Sequence, residues 1–196
     1  MSALNDPSLP LLVGESNPYG ADPHFALYPF PESASGGRLA AILGMDAEQY
    51  LRTFDRVNLC TQNLRHWRQG SREWDAAAAR RRAERLPHEA RVLLGAKVAR
   101  AHGLTYAPFA SGWKHAEECA AYRSHAARSG GQAPRCIGDL SNVRPSCFRY
   151  LVLPHPSGRC RAWNDPRSAE RARQSARAFL GPLAAPATLS PGAAKR

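Results

Sequence analysis

Four short apolar runs punctuate the chain, at residues 9–13, 54–59, 91–94 and 148–153. Each is about five residues long and bounded by turn or polar residues, as buried strands are. Between them the apolar positions change period. Residues 37–43 place Leu39, Ile42 and Leu43 on one helical face, residues 73–86 are rich in alanine and arginine, and residues 96–102 follow Gly95 directly. Residues 113–128 read as a less periodic helix. After the last strand, Asn164 or Asp165 can cap a helix with Pro166 near its first position, and Ala169, Ala172, Ala176 and Phe179 recur at helical spacing up to Gly181-Pro182. Strands alternating with helices predict an α/β domain: a three-layer αβα sandwich around a four-stranded parallel sheet. One domain over residues 1–181 is expected, followed by a disordered tail over 182–196 that is rich in Ala, Pro and Gly.

In such sheets a ligand sits beyond the carboxyl ends of the strands. The loops that follow the strands begin at Gly14, at Asn58-Leu59-Cys60, at Gly95 and at Pro154, and the first, second and fourth are expected to converge.

Charge narrows the partner. The 196 residues carry a net charge of +11, and arginine supplies nearly all of the positive side chains. Arginine favours bidentate phosphate contacts and stacks on bases, so DNA is the expected partner. Arginine-rich codons explain arginine over lysine, but not the excess over acids. No 18-residue apolar run and no leader-like start occur, so no membrane association and a cytoplasmic monomer are expected. Five cysteines (Cys60, Cys119, Cys136, Cys147, Cys160) include no CxxC pair, which argues for free thiols. His115 and Cys119, with His125, Cys136 and Cys147 downstream, form a weak zinc pattern against a reading of buried thiols and surface histidines. No metal and no cofactor are expected.

The fourth loop, LPHPSGRCRAWN, is the richest in chemistry. His155 lies between two prolines, which stiffen its backbone and let it present one ring N–H to a ligand oxygen. Ser157-Gly158 offers a hydroxyl and close backbone approach to a phosphate, and Arg159 and Arg161 add charge. The amide of Asn58 carries a donor and an acceptor side by side, which matches the edge of a pyrimidine; equally, such an amide can pin a loop backbone.

Together, GESNPYG after the first run, VNLC after the second, LLGAKVARAHGL and LPHPSGRCRAWN resemble the uracil-DNA glycosylase superfamily in order and spacing, from about residue 9 to residue 180. Ser16-Asn17-Pro18-Tyr19 and His155-Pro156-Ser157-Gly158 each mix the motifs of different branches. The resemblance implies hydrolysis of the N-glycosidic bond of a flipped pyrimidine, leaving an abasic site. It implies that His155 stabilises charge on the base O2, that Asn17 or Glu15 positions or activates water, and that Asn58 reads the base edge. Tyr19 would lie against the pyrimidine 5-position, and one of Phe25, Tyr28 and Phe30 would stack on the base. Ser157, with Gly158, Arg159, Arg161 and the helix start at Gly36-Gly37, would hold phosphates. The cysteine pairs of the iron–sulfur branches are missing, so no cluster is implied.

The resemblance at Tyr19 implies a preference for uracil. However, the Asn58 amide can rotate to pair with cytosine, and residues 21–37 match no branch, which leaves a bulky modified pyrimidine open, such as phage hydroxymethyl- or glucosyl-hydroxymethylcytosine. Two other classes compete. One is a DNA- or base-binding module without catalysis. The other is a DNA amino-methyltransferase, which ESNPYG resembles, although the glycine-rich cofactor loop that family needs is missing.

Overall fold

The computed structural model describes residues 6–16, 23–60, 74–115 and 147–181. It is an α/β fold around a five-stranded, mostly parallel sheet. The strands are β1 (Leu11–Ser16), β2 (Asp55–Cys60), β3 (Ala90–Leu94), β4 (Ser111–Lys114) and β5 (Phe148–Leu153), in the order β2-β1-β3-β5-β4. The helices are α1 (Ser35–Leu43), α2 (Ala47–Thr53), α3 (Ala76–Glu84), α4 (Ala96–Ala101) and α5 (Pro166–Leu180).

The strand side chains alternate between two apolar clusters. Leu12, Val92, Leu94, Leu151 and Leu153 pack with Leu39, Leu43, Tyr50, Ala172, Ala176 and Phe179 of α1, α2 and α5. Leu11, Val13, Val57, Leu59, Leu93 and Val152 pack with Ala79, Ala83, Val98 and Ala99 of α3 and α4. Each fully buried Val, Leu or Phe contributes roughly 1.5–3 kcal/mol relative to exposure. The near-continuous apolar runs in the sequence follow from this burial of both sheet faces. As expected, α5 begins at Pro166, with Asp165 as its cap accepting from Arg167 N at 2.9 Å.

The expectation of four strands is corrected to five. Residues 111–114, placed partly in a helix by their composition, pair antiparallel with β5, from Ser111↔Leu151 to Lys114↔Phe148. Four residues containing a glycine hold too little local pattern to set a period; the pairing with β5 decides it. The remainder of the expected helix, and the tail beyond residue 181, lie outside the described residues. The short helix α2 was not anticipated. Asp46 caps it by accepting from Gln49 N at 2.7 Å, and buried Tyr50 anchors it. β1 and β2 also run further than expected: Gly14 pairs with Asn58 and Ser16 with Cys60, so both residues are strand positions and not loop starts. Among the described residues, no helix is long and apolar enough to cross a membrane.

Candidate functional site

β1 has neighbours reached by connections of opposite sense, β2 on one side and β3 on the other. Such a switch point opens a crevice at the carboxyl ends. A cavity of about 360 Å³ lies there, on the face covered by α1, with Asn58, His155, Ser157, Arg38, Tyr28 and Phe30 among its lining residues. Its size is that of a small-molecule site.

Asn58 forms the floor. It is 5% exposed, and its Oδ1 accepts no hydrogen bond. The amide lies directly over Gly14, where a Cβ would come within 2.2 Å of that oxygen. Glycine at position 14 is therefore what gives the amide its place. The alternative role for Asn58, pinning a loop backbone through its oxygen, finds no partner for that atom.

His155 forms one wall. β3 lies between β5 and β1, so His155 must cross the end of β3 to reach the cavity. Gly95 makes the crossing possible, with φ +92 and a would-be Cβ only 3.2 Å from that of His155. The flanking Pro154 and Pro156 are buried, and Trp163 Nε1 donates to His155 O at 2.8 Å. Ser157 N donates to His155 Nδ1 at 3.2 Å. This bond assigns the ring proton to Nε2, leaving a neutral imidazole with one N–H to offer. Burial holds the His155 pKa below its ordinary value, opposed by the Glu15 carboxylate and reinforced by the Lys97 ammonium.

Part of the lining is aromatic. Phe25, Tyr28 and Phe30 stand in sequence, with ring centroids 6.0 Å apart in each successive pair. The carbonyl of Leu27, in the left-handed conformation at φ 49, accepts from buried Tyr50 Oη at 3.1 Å. Gly36 and Gly37 let α1 approach this loop. A Cβ at Gly36 would meet Leu27 O at 2.1 Å, and one at Gly37 would meet Glu32 Cα at 2.6 Å. Gly36 lines the cavity; Gly37 is buried behind it. Arg56 lies behind Tyr28, 5.3 Å from the ring centre, and burial lowers its pKa.

Ser157, Gly158 and Arg159 line the mouth, whereas Arg161 opens the following 3-10 turn and does not. Glu15 lies on the other face of β1 and does not line the cavity; it pairs with Lys97 Nζ at 2.5 Å. Asn17 and Tyr19 lie outside the described residues. So do Cys119, His125 and Cys136 of the zinc pattern. Among the described residues no three His, Cys, Asp or Glu side chains gather as a metal would need, and Cys60 and Cys160 are free thiols.

Two cations were not singled out from the sequence. Lys97 stands inside the quoted LLGAKVARAHGL stretch, and only its pairing with Glu15 gives it a place. Arg38 follows Gly36-Gly37 directly, and in so arginine-rich a chain nothing local distinguished it.

No protein-family model, curated protein or solved structure matches the chain.

Proposed function

We propose that the chain is a DNA glycosylase of the uracil-DNA glycosylase superfamily, built on that superfamily's three-layer αβα arrangement and acting on DNA as a monomer. It hydrolyses the N-glycosidic bond of a flipped pyrimidine. The observation that carries this reading is the pairing of two groups in one cavity: the neutral imidazole of His155, tautomer fixed by Ser157, and the buried, unpaired amide oxygen of Asn58.

The two groups suit the chemistry. As the bond between C1′ and N1 lengthens, positive charge grows on the sugar and negative charge on the base. His155 Nε2–H donates to the base O2, where that negative charge collects; a preorganised donor of this kind is worth about 10²–10³ in rate. Asn58 reads the base edge, and its oxygen gains the partner that it lacks. Tyr28 supplies stacking surface for the flipped base. Water then adds to C1′, its lost proton leaves with solvent, and the base departs to be protonated at N1. Asn17 positions that water. The base is uracil or another deaminated base, or a modified pyrimidine such as phage hydroxymethyl- or glucosyl-hydroxymethylcytosine.

Single-turnover assays test this on oligonucleotides containing uracil, mismatched thymine, hypoxanthine, 5-hydroxymethylcytosine or its glucosylated form. The reading requires abasic product from at least one pyrimidine. Tight binding with no abasic product from any of them overturns it in favour of a non-catalytic binding module.

A further inference from the structure

Two rim residues are unusual for a protein surface. Phe25 is 48% exposed and Phe30 54% exposed, although each belongs to a loop fixed by the buried Tyr50 and by close approach to α1. Exposed aromatics on a fixed loop present ring faces rather than core packing. The same cavity is lined by two cations, Arg38 and Arg159. Arg38 is held there by a further close approach: its guanidinium occupies the space where a Cβ on Gly158 would sit, with Nη1 at 2.1 Å. Among the described residues no carboxylate pairs with it. The same cavity holds the unpaired, buried Asn58 oxygen.

We infer that this juxtaposition of an aromatic wall and a cationic wall is a platform for single-stranded DNA. Bases next to the flipped nucleotide stack on Phe25 and Phe30, and the intervening phosphates run along Arg38 and Arg159. A duplex keeps its bases stacked on one another and cannot give their faces to the protein, so it uses the cations alone. Stacking on exposed aromatics beside a positive groove is the physical basis of sequence-tolerant single-strand binding. The inference deepens the glycosylase reading and rests on it for the flipped nucleotide, but it is tested by binding alone.

The test is fluorescence anisotropy of the full chain with one unmodified oligonucleotide, presented as a single strand and as its duplex over a salt series. The wild type should bind the single strand about tenfold more tightly or better. Phe25→Ala and Phe30→Ala should each weaken single-strand binding roughly tenfold and leave duplex binding unchanged, while Phe25→Trp and Phe30→Trp keep it. Arg38→Ala should weaken both forms and reduce the single-strand salt slope by about 0.7, one phosphate's worth. Equal affinity for strand and duplex, or unchanged single-strand affinity in both alanine variants, overturns the inference. The two phenylalanines are solvent-exposed, so their substitution leaves the core intact. Single-strand preference without any base excision would sink the glycosylase reading alone; excision with equal strand and duplex binding would sink this inference alone.

Discussion

Arg91 on β3 and Asn58 on β2 are both buried, at 2% and 5% exposure, yet the fold treats them in opposite ways. Arg91 near the amino end of its strand donates to three carbonyls: His88 O at 2.9 Å, Ala83 O at 3.0 Å and Leu86 O at 2.7 Å. It also lies 4.0 Å from the ring centre of Phe148. These carbonyls sit at and just past the end of α3, so one guanidinium satisfies groups that a helix end leaves open. Burial still lowers its pKa, to about 10. Asn58, near the carboxyl end, keeps an oxygen with no partner among the described residues. A buried acceptor left unmade costs about 1–3 kcal/mol. Arg91 completes its polar contacts within the fold, whereas the Asn58 oxygen is left open where the cavity lies. On the proposed function, the difference separates a residue that serves the fold from one held for a ligand.

The largest expected effect is at Arg91. Arg91→Ala leaves three buried carbonyls without a donor and a void beside Phe148, and should lower stability by about 3–5 kcal/mol in urea unfolding. Next, His155→Ala should reduce excision by about 10²–10³ while changing stability by less than about 1 kcal/mol, measured by single-turnover kinetics beside unfolding. A matching loss of stability would move His155 to the fold's side of the comparison. Its burial-lowered pKa also sets the pH response: the neutral ring is the donor, so excision should be flat at neutral pH and fall in acid, below the ordinary histidine range.

A third effect sharpens the contrast between histidines. His102 is 6% exposed, its Nδ1 lies 2.9 Å from Val98 O, and burial pushes its pKa down to about 4. The unfolded chain takes up this proton near pH 6.5 and the folded chain only near 4, so the unfolded state binds more protons between those values. Stability should therefore drain away as pH falls from about 6.5 to 4, by on the order of 3 kcal/mol from this group. His102→Gln should flatten that slope in acid unfolding curves, and an unchanged slope would assign it to other groups.

The apolar runs made the sheet legible, because burial on both faces leaves a signal in every strand residue. The carboxyl-edge rule then pointed to one region: Asn58, His155, Ser157, Arg159 and the three aromatics share one cavity. What stayed hidden depended on partners far along the chain. β4 exists only through its pairing with β5, and Arg38 matters only because Gly158, 120 positions later, makes room for it. Gly36 and Gly37, expected to hold phosphates at the start of α1, also let α1 pack on the aromatic loop through their absent side chains. Glu15 seemed to share the site with its neighbours, but strand alternation sends it to the opposite face, toward Lys97.

The most direct test of the central claim needs no substrate. Asn58→Leu replaces the amide by an apolar group of similar shape, and its urea unfolding can be compared with that of Arg91→Ala. If the Asn58 oxygen is held for a ligand, the leucine variant should be as stable as the wild type or more so, because an unpaired buried acceptor has been removed. A loss of several kcal/mol, like that expected for Arg91→Ala, would contradict the account and make Asn58 part of the fold.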